Sequence, residues 1–314
     1  MAQLFRRAHT CTTASRAWWP ASCSRVPSVQ ARGMCGLIAI VCRTGAGSPV
    51  LRERLTRAMN QTGHRGPDER GQVELGGWAG LGHVRLSITD VARGQQPISN
   101  EDSSVTAIVN GEFYDHQRIR DELRARGHSF RTDSDSEILV HLWEEHGPEC
   151  LAQLRGEFAF VLICRRTGQL FAARDRFGIK PLFFAKHAGE LLLASEIKGL
   201  FAAGVPASWD APRVFDGLHG CRQEGKPSVF SGVEEIPPGQ YMLHDSATGS
   251  NKMHVYWRPE YPTRGLAERL GLAEGPCADE EAATERVRGM LEESVALRAD
   301  CELPVRSRPP RVMT

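Results

Sequence analysis

The sequence predicts an α+β protein in which antiparallel sheet lies between layers of helices. Apolar runs at 158–164 and 170–174 flank one short turn, and runs at 182–185 and 191–194 flank a second turn that contains Gly189. Hairpins this close together in the chain pair antiparallel. Amphipathic stretches elsewhere in the chain supply helices that can cover the outer faces of such a sheet.

The first elements follow directly after Met34. Residues 37–42 form a short apolar run rich in β-branched side chains, which predicts a buried strand. Beyond a glycine-containing turn at 45–47, the spacing of apolar residues predicts an amphipathic helix over 51–59. The run 105–109 predicts another strand, which we expect to end at the turn signal Asn110-Gly111.

Two helices are predicted next, each from a capping signal. Asp115 precedes an amphipathic stretch over 117–126 and is a suitable N-terminal cap. Ser134 and Glu137 have the spacing of a capping box, which predicts a second helix that stops near Gly147.

The last part of the chain changes character. Residues 259–279 are polar and contain glycine, which predicts a linker. A helix is predicted over 280–299, where four apolar residues recur at three- and four-residue spacing. These are Val287, Met290, Leu291 and Val295. The tail beyond 300 has no periodicity and is expected to be disordered.

Composition excludes several function classes. With 314 residues, the chain can hold one large domain or two modest ones. Lys plus Arg (39) balances Asp plus Glu (38), so the net charge of +1 predicts neither a nucleic-acid nor a membrane partner. The longest apolar run, 158–164, is far shorter than the roughly 20 residues of a membrane span. Nine cysteines without a CxxC pair predict no disulfide framework and no metal site, and favour a reducing compartment such as the cytoplasm.

Residues 1–34 differ from the rest of the chain. They contain five arginines and no acidic residue, which is typical of an organellar transit peptide. The alternative is that translation begins at Met34. Under either interpretation the extension lies outside the fold, and an organellar location is the alternative to the cytoplasm.

Cys35 combines a thiol with a position directly after a methionine. If cleavage exposes its α-amine, whose ordinary pKa is about 7.7, that amine can take the thiol proton during nucleophilic attack. A peptide nitrogen cannot do so, because its lone pair is delocalised into the carbonyl group. Taken alone, Cys35 is better explained as one more buried cysteine.

Several other motifs follow Cys35, and each is weak by itself. Polar loops, hairpin turns and charged helix starts often have such sequences. The motifs are Met34-Cys35-Gly36, His64-Arg65-Gly66-Pro67-Asp68, Arg85-Leu86-Ser87-Ile88, Asn110-Gly111-Glu112, Ser134-Asp135-Ser136-Glu137, Gly156-Glu157-Phe158, the stretch from Arg174 to Leu182, and Ala194-Ser195-Glu196-Ile197-Lys198. In this order they resemble the class II glutamine amidotransferases, and within that group the glutamine-hydrolysing asparagine synthetases.

That resemblance implies a fold and a mechanism. The fold is the N-terminal-nucleophile (Ntn) hydrolase type, a four-layer αββα sandwich of antiparallel sheets. It implies that Cys35 attacks the side-chain amide of glutamine while Asn110 and Gly111 hold the oxyanion. The remaining substrate-binding residues implied are Arg85 for the α-carboxylate, Glu112 and Asp135 for the α-ammonium, and Leu86 and Ile88 beside them. No metal ion or cofactor is implied for this domain.

The family pattern also sets expectations for domains and partners. It implies an amidotransferase domain over 35–258, followed over 259–314 by a linker and a truncated start of the synthetase domain. The Ser-Gly-Gly-x-Asp-Ser loop that cradles ATP in that domain does not occur in this sequence. ATP and Mg²⁺ are therefore expected only for the synthetase domain, with aspartate as the ammonia acceptor. Relatives often pair, so a homodimer is an open expectation.

Two alternatives stay open at this stage. The first alternative to an asparagine synthetase is an amidotransferase that serves another acceptor, such as a peptide or a sugar. The second is an inactive fragment that keeps the fold. The second is favoured by the extension before Cys35 and by the absent ATP loop.

Overall fold

The computed structural model describes residues 34–42, 50–219, 228–260 and 280–299. Residues 1–33 of the predicted extension, the predicted turn at 45–47, most of the predicted linker and the tail beyond 299 lie outside the described residues.

Two six-stranded sheets, antiparallel throughout, form the centre of the molecule. Sheet A has the strand order β10-β8-β9-β1-β3-β2, and sheet B has the order β12-β11-β7-β6-β5-β4. The strands are β1 Gly36–Val41, β2 Glu69–Leu75, β3 Ala79–Arg85, β4 Ile98–Ser99, β5 Val105–Tyr114, β6 Arg155–Cys164, β7 Gln169–Arg174, β8 Phe183–His187, β9 Glu190–Ala194, β10 Val233–Glu235, β11 Gln240–Asp245 and β12 Ser250–Val255.

The described helices lie outside the two sheets or at their ends. They are α1 Leu51–Thr62, α2 His116–Ala125, α3 Ile138–His146, α4 Ile197–Ala202, α5 Ala211–Leu218 and α6 Glu280–Ala299. Short 3₁₀ turns, Asp135–Glu137 and Gly147–Ala152, flank α3. No described helix combines the length and the apolar character that crossing a bilayer requires.

Three apolar clusters produce the predicted αββα layering. One fills the space between the sheets and includes Leu37 of β1 and Ile108 of β5. A second joins the outer face of sheet A to α1 and α4. The third joins the outer face of sheet B to α2 and α3.

Strand β1 illustrates how the sequence specifies these layers. Leu37, Ala39 and Val41 face the inter-sheet core, whereas Ile38 and Ile40 face α1. Because successive side chains of a strand point to opposite faces, a strand covered on both sides is apolar at every position. The continuous run at 37–42 therefore predicted this strand correctly.

Strand β3 carries two glycines that allow a helix to approach closely. A Cβ at Gly80 would lie 2.7 Å from Leu55 Cδ1, and one at Gly82 would lie 3.1 Å from Met59 Sδ. Helix α1 therefore packs directly on the backbone of β3. Glycine inside a strand commonly marks such a contact.

Three local expectations are corrected. Strand β5 does not end at Asn110-Gly111 but continues to Tyr114, because residues 110–114 pair with β6. Asp115 stands at the start of α2 in a left-handed conformation, and its side chain makes no capping hydrogen bond. Ser134 caps the turn before α3 through Ser136 N, but Glu137 accepts from the backbone of Arg131 and Thr132 instead of completing a capping box.

The predicted helix over 280–299 is confirmed as α6. Its apolar positions are not covered by described residues, since Val287, Met290, Leu291 and Val295 are all exposed. Two polar contacts join the helix to the rest of the protein. Glu293 pairs with Arg155 at 2.9 Å, and the guanidinium of Arg298 lies 5.3 Å from the centre of the Tyr114 ring.

Candidate active site

An open cavity lies where β1, β3 and β5 approach the turn before α3. All eight residues that the sequence predicted as site residues line it. These are Cys35, Arg85, Leu86, Ile88, Asn110, Gly111, Glu112 and Asp135. They come from four separate segments of the chain, so only the fold brings them together.

Cys35 lies directly before β1, the strand between β3 and β9 in sheet A. Its Sγ is 3.4 Å from the backbone nitrogen of Leu86 and 3.6 Å from the Leu86 carbonyl oxygen. Burial raises the pKa of the Cys35 thiol, although the Leu86 N–H and the positive charge of Arg85 oppose that effect. The thiol is therefore neutral near pH 7 and needs a base when it attacks.

The backbone of Cys35 is held by a second motif. Arg65 donates from Nε to the Cys35 carbonyl oxygen at 3.0 Å and from Nη1 to Glu196 at 3.0 Å. Gly66 is required beside it, since a Cβ there would lie 2.2 Å from the Val84 carbonyl carbon. The motifs at 64–68 and 194–198 thus position the thiol without lining the cavity.

Arg85 is buried at the end of β3, and its guanidinium is firmly held. It donates to Glu69 at 2.6 Å and to the carbonyl oxygens of Thr89 and Asp90 at 2.8 and 2.7 Å. These contacts fix the plane of the guanidinium in the cavity wall. A fixed fork of this kind suits recognition of a carboxylate.

Asn110 and Gly111 lie side by side in β5. Asn110 is 1% exposed, and its Nδ2 makes no hydrogen bond with any described residue. Gly111 has a φ of +139°, and a Cβ at this position would lie 1.9 Å from the Glu157 carbonyl oxygen. Only glycine therefore allows β5 to stay paired with β6 while it carries Asn110 into the cavity.

Two carboxyl groups occupy another side of the cavity. Asp135 is buried and accepts a hydrogen bond from Phe113 N at 2.6 Å, yet burial raises its pKa. Burial, together with the charges of Asp135 and Glu157, also raises the pKa of Glu112 to about 7. Crowded carboxylates of this kind favour a cationic ligand.

Sequence reasoning missed Lys180, which also lines the cavity. Its Nζ lies 3.6 Å from Glu157 Oε1 and 3.6 Å from Met34 Sδ. The loop that carries it is built by Asp175, whose carboxylate accepts from the backbone nitrogens of Phe177, Ile179 and Lys180. The motif from Arg174 to Leu182 was recognised, but nothing in its spacing indicated which side chain faces the cavity.

Comparison with known proteins supports this architecture. A family model described as a glutamine amidotransferase domain matches residues 34–257. The chain is 37% identical over 282 residues to amidase chyE of Penicillium rubens and 38% identical over 282 residues to amidase chry2 of Gibberella zeae. Each alignment covers 87% of this chain but 40% of the relative.

A synthetase is also among the relatives. Asparagine synthetase [glutamine-hydrolyzing] 2 of Bacillus subtilis is 33% identical over 236 residues, which is 71% of this chain and 30% of that protein. The chain thus spans well under half the length of these relatives.

Solved structures agree on the fold. The allosteric regulatory enzyme of purine biosynthesis aligns with a TM-score of 0.55 at 18% identity, over 72% of this chain and 50% of that one. Glutamine phosphoribosylpyrophosphate amidotransferase from B. subtilis aligns over the same shares, with a TM-score of 0.53 and 18% identity. These likenesses and the αββα layering show an Ntn-type fold, and the domain match over 34–257 shows that the chain belongs to the class II glutamine amidotransferases.

Proposed function

We propose that this protein hydrolyses glutamine to glutamate and ammonia, with Cys35 as the nucleophile. The observation that carries the proposal is the buried, unpartnered Nδ2 of Asn110 in the same cavity as the Cys35 thiol. A buried amide N–H without a partner is costly unless a ligand or an oxyanion accepts from it.

The reaction proceeds in two steps. Cys35 Sγ attacks the side-chain amide carbon of glutamine, and the resulting oxyanion accepts hydrogen bonds from Asn110 Nδ2 and the Gly111 N–H. Collapse expels ammonia, which takes a proton as it leaves, and forms a thioester. Water then attacks the thioester, releases glutamate and restores the thiol.

The base in both steps is the α-amine of Cys35. The thiol is neutral in its buried environment, so a proton acceptor must lie within reach of Sγ. An α-amine on the same residue meets that need once the bond between Met34 and Cys35 is cleaved. Processing at this bond is therefore part of the proposal.

The cavity wall suggests how glutamine is held. Arg85 is proposed to bind the α-carboxylate, and Glu112 and Asp135 the α-ammonium. Leu86 and Ile88 lie beside Arg85 in the lining and would contact the aliphatic part of the substrate.

We further propose aspartate as the ammonia acceptor, on the basis of the synthetase relatives. Amidating a carboxylate in this way consumes ATP with Mg²⁺, and we assign no residue of this chain to either.

The second candidate function is an amidotransferase for another acceptor. It is favoured by the two amidases, whose alignments cover more of this chain than the synthetase alignments do. We also propose that the protein forms a homodimer. We propose a cytoplasmic location, with an organelle as the alternative.

The glutaminase proposal is tested with an electrophilic glutamine analogue and a glutamate-release assay. We expect the analogue to label Cys35 and Cys35→Ala to abolish both labelling and release. Cys42→Ala is the matched control, because Cys42 is buried outside the cavity beside Glu190. Labelling of another cysteine, or glutamate release by Cys35→Ala, would overturn the proposal.

The acceptor is tested separately, with ammonia in place of glutamine. The protein is purified from its native source together with any synthetase domain that it carries or binds there. Supplied with ammonia, ATP and Mg²⁺, that sample is expected to convert aspartate to asparagine. Transfer to a peptide or a sugar, with none to aspartate, would favour the second candidate and leave the glutaminase proposal standing.

A further inference from the structure

A second polar cluster lies away from the cavity, in the helical layer over sheet B. Glu101 between β4 and β5, His128 after α2, and His141 and Glu144 of α3 converge from three segments of the chain. One donor atom from each lies within 4.8 Å of all the others. None of these residues lines the cavity or takes part in the proposed glutamine chemistry.

His141 is the clearest sign that the cluster binds something. Its side chain is completely buried, and neither ring nitrogen makes a hydrogen bond with a described residue. Its Nδ1 lies 3.3 Å from Glu101 Oε2 and 3.8 Å from Glu144 Oε2. Its Nε2 lies 3.9 Å from Glu137 Oε1. A buried imidazole that makes no hydrogen bond is costly, and a cation bound between Nδ1 and the nearby carboxylates would satisfy that nitrogen.

His128 is oriented for the same purpose. Its Nε2 lies 3.2 Å from Glu145 Oε1, and its Nδ1 lies 3.3 Å from Glu101 Oε1. When Nε2–H donates to Glu145, Nδ1 keeps its lone pair and faces the cluster. A carboxylate that fixes the tautomer of a histidine in this way is typical of metal sites. Arg126 in turn holds Glu145 at 3.0 Å.

The carboxylates complete the ligand set. Glu144 pairs through Oε1 with Arg166 at 2.6 Å, whereas its Oε2 is buried without a hydrogen-bond partner among described residues. Glu101 places one oxygen near each histidine, and its side chain is 36% exposed, which gives an ion a route from solvent.

The distances fit a small tetrahedral ion. Ligands about 2.0–2.1 Å from a zinc ion stand about 3.3–3.5 Å apart. Glu101 approaches each histidine to 3.3 Å, through Oε1 toward His128 Nδ1 and through Oε2 toward His141 Nδ1. The donor atoms lie within 4.8 Å of one another, which exceeds that spacing by about 1.3–1.5 Å at the widest, so the side chains must draw together when the ion binds.

We propose that Glu101, His128, His141 and Glu144 bind one zinc ion. Two imidazoles and two carboxylates are a donor set that suits Zn²⁺ better than Ca²⁺ or Mg²⁺. The ion joins the loop between β4 and β5 to α3, the helix that continues the turn carrying Asp135. Its role is to hold the helical layer on sheet B, and it takes no part in glutamine hydrolysis.

The test is calorimetric titration of the chelator-treated full chain with zinc chloride, together with thermal unfolding. We expect one equivalent to bind and to raise Tm. Glu101→Gln, which alters a half-exposed side chain and should fold normally, is expected to weaken zinc binding by about 10-fold or more. His187→Gln, on β8 outside the cluster, is the matched control and should bind zinc as the unaltered protein does.

The absorption spectrum of the cobalt-substituted protein identifies the type of metal ligand without a measurement of affinity. The cobalt-substituted protein should lack a thiolate-to-cobalt charge-transfer band, because no cysteine belongs to the cluster. Absence of stoichiometric zinc binding, unchanged affinity in Glu101→Gln, or a thiolate band would each overturn the proposal. Absence of stoichiometric zinc binding would mean that the cluster is only a network of ion pairs.

Discussion

At the residue scale, the account depends on Asn110 as an oxyanion donor. Replacing it with alanine should lower kcat for glutamate release by about 10²–10³, the usual cost of removing one such donor. Glutamine binding should change little, because the oxyanion exists only after attack. Steady-state kinetics, with circular dichroism to verify folding, measure both effects.

The matched control for this change is Asn251→Ala. Asn251 lies on β12 outside the cavity lining, and its Nδ2 is also buried without a hydrogen bond to a described residue. It should therefore keep full activity. An Asn110→Ala protein with normal kcat would remove Asn110 from the mechanism.

Glu112 provides a prediction about pH. Because its folded pKa is raised to about 7, the carboxyl contributes stability below its unfolded pKa, and that contribution is lost as pH rises through about 7. Glu112→Gln should therefore increase the free energy of unfolding at pH 8 by on the order of 2 kcal/mol, with little change at pH 4. Urea unfolding at the two pH values measures this difference.

The same substitution should impair glutamine binding. Loss of the negative charge that faces the α-ammonium should raise KM for glutamine at pH 8. Glu122→Gln, exposed on α2, should leave stability within about 0.5 kcal/mol and KM unchanged. If Glu112→Gln and Glu122→Gln had the same KM for glutamine and the same stability at pH 8, the role given to Glu112 would be contradicted.

At the element scale, β5 and its pairing with β6 shape the site. Gly111→Ala should lower the free energy of unfolding by about 3 kcal/mol, because a Cβ would clash with the Glu157 carbonyl at a backbone φ of +139°. Gly217→Ala in α5 is the control, since a Cβ there meets no atom within 4 Å and alanine favours a helix. Thermal unfolding of both variants tests this predicted loss of stability. If Gly111→Ala were as stable as Gly217→Ala, the clash at Gly111 would be relieved and the prediction would be wrong.

The same strand marks the limit of prediction from sequence. Local reasoning identified the apolar run at 105–109 but took Asn110-Gly111 for a turn, because that dipeptide favours one in isolation. The strand continues because β6, about fifty residues later, pairs with it through Tyr114. Likewise, β3 was not predicted as a strand, since its glycines suit close packing by α1, which is a property of the tertiary structure.

At the scale of the whole molecule, adjacent apolar runs separated by turns predicted antiparallel sheet, and amphipathic stretches predicted its helical cover. Ordered motifs predicted eight residues that the fold gathers around one cavity. Lys180 was missed because its position depends on how Asp175 folds its loop. The cluster around His141 was missed because its members share no motif spacing, and only the packing of α3 against the loop between β4 and β5 unites them.

The role of the Cys35 α-amine is tested by glutamate release from two forms of the protein whose N-termini are verified by mass spectrometry. One form begins at Cys35, and the other retains Met34 and the preceding residues. We expect activity in the first form and none in the second, because the mechanism requires a free α-amine to take the proton of the Cys35 thiol. Equal activity in the two forms would contradict it.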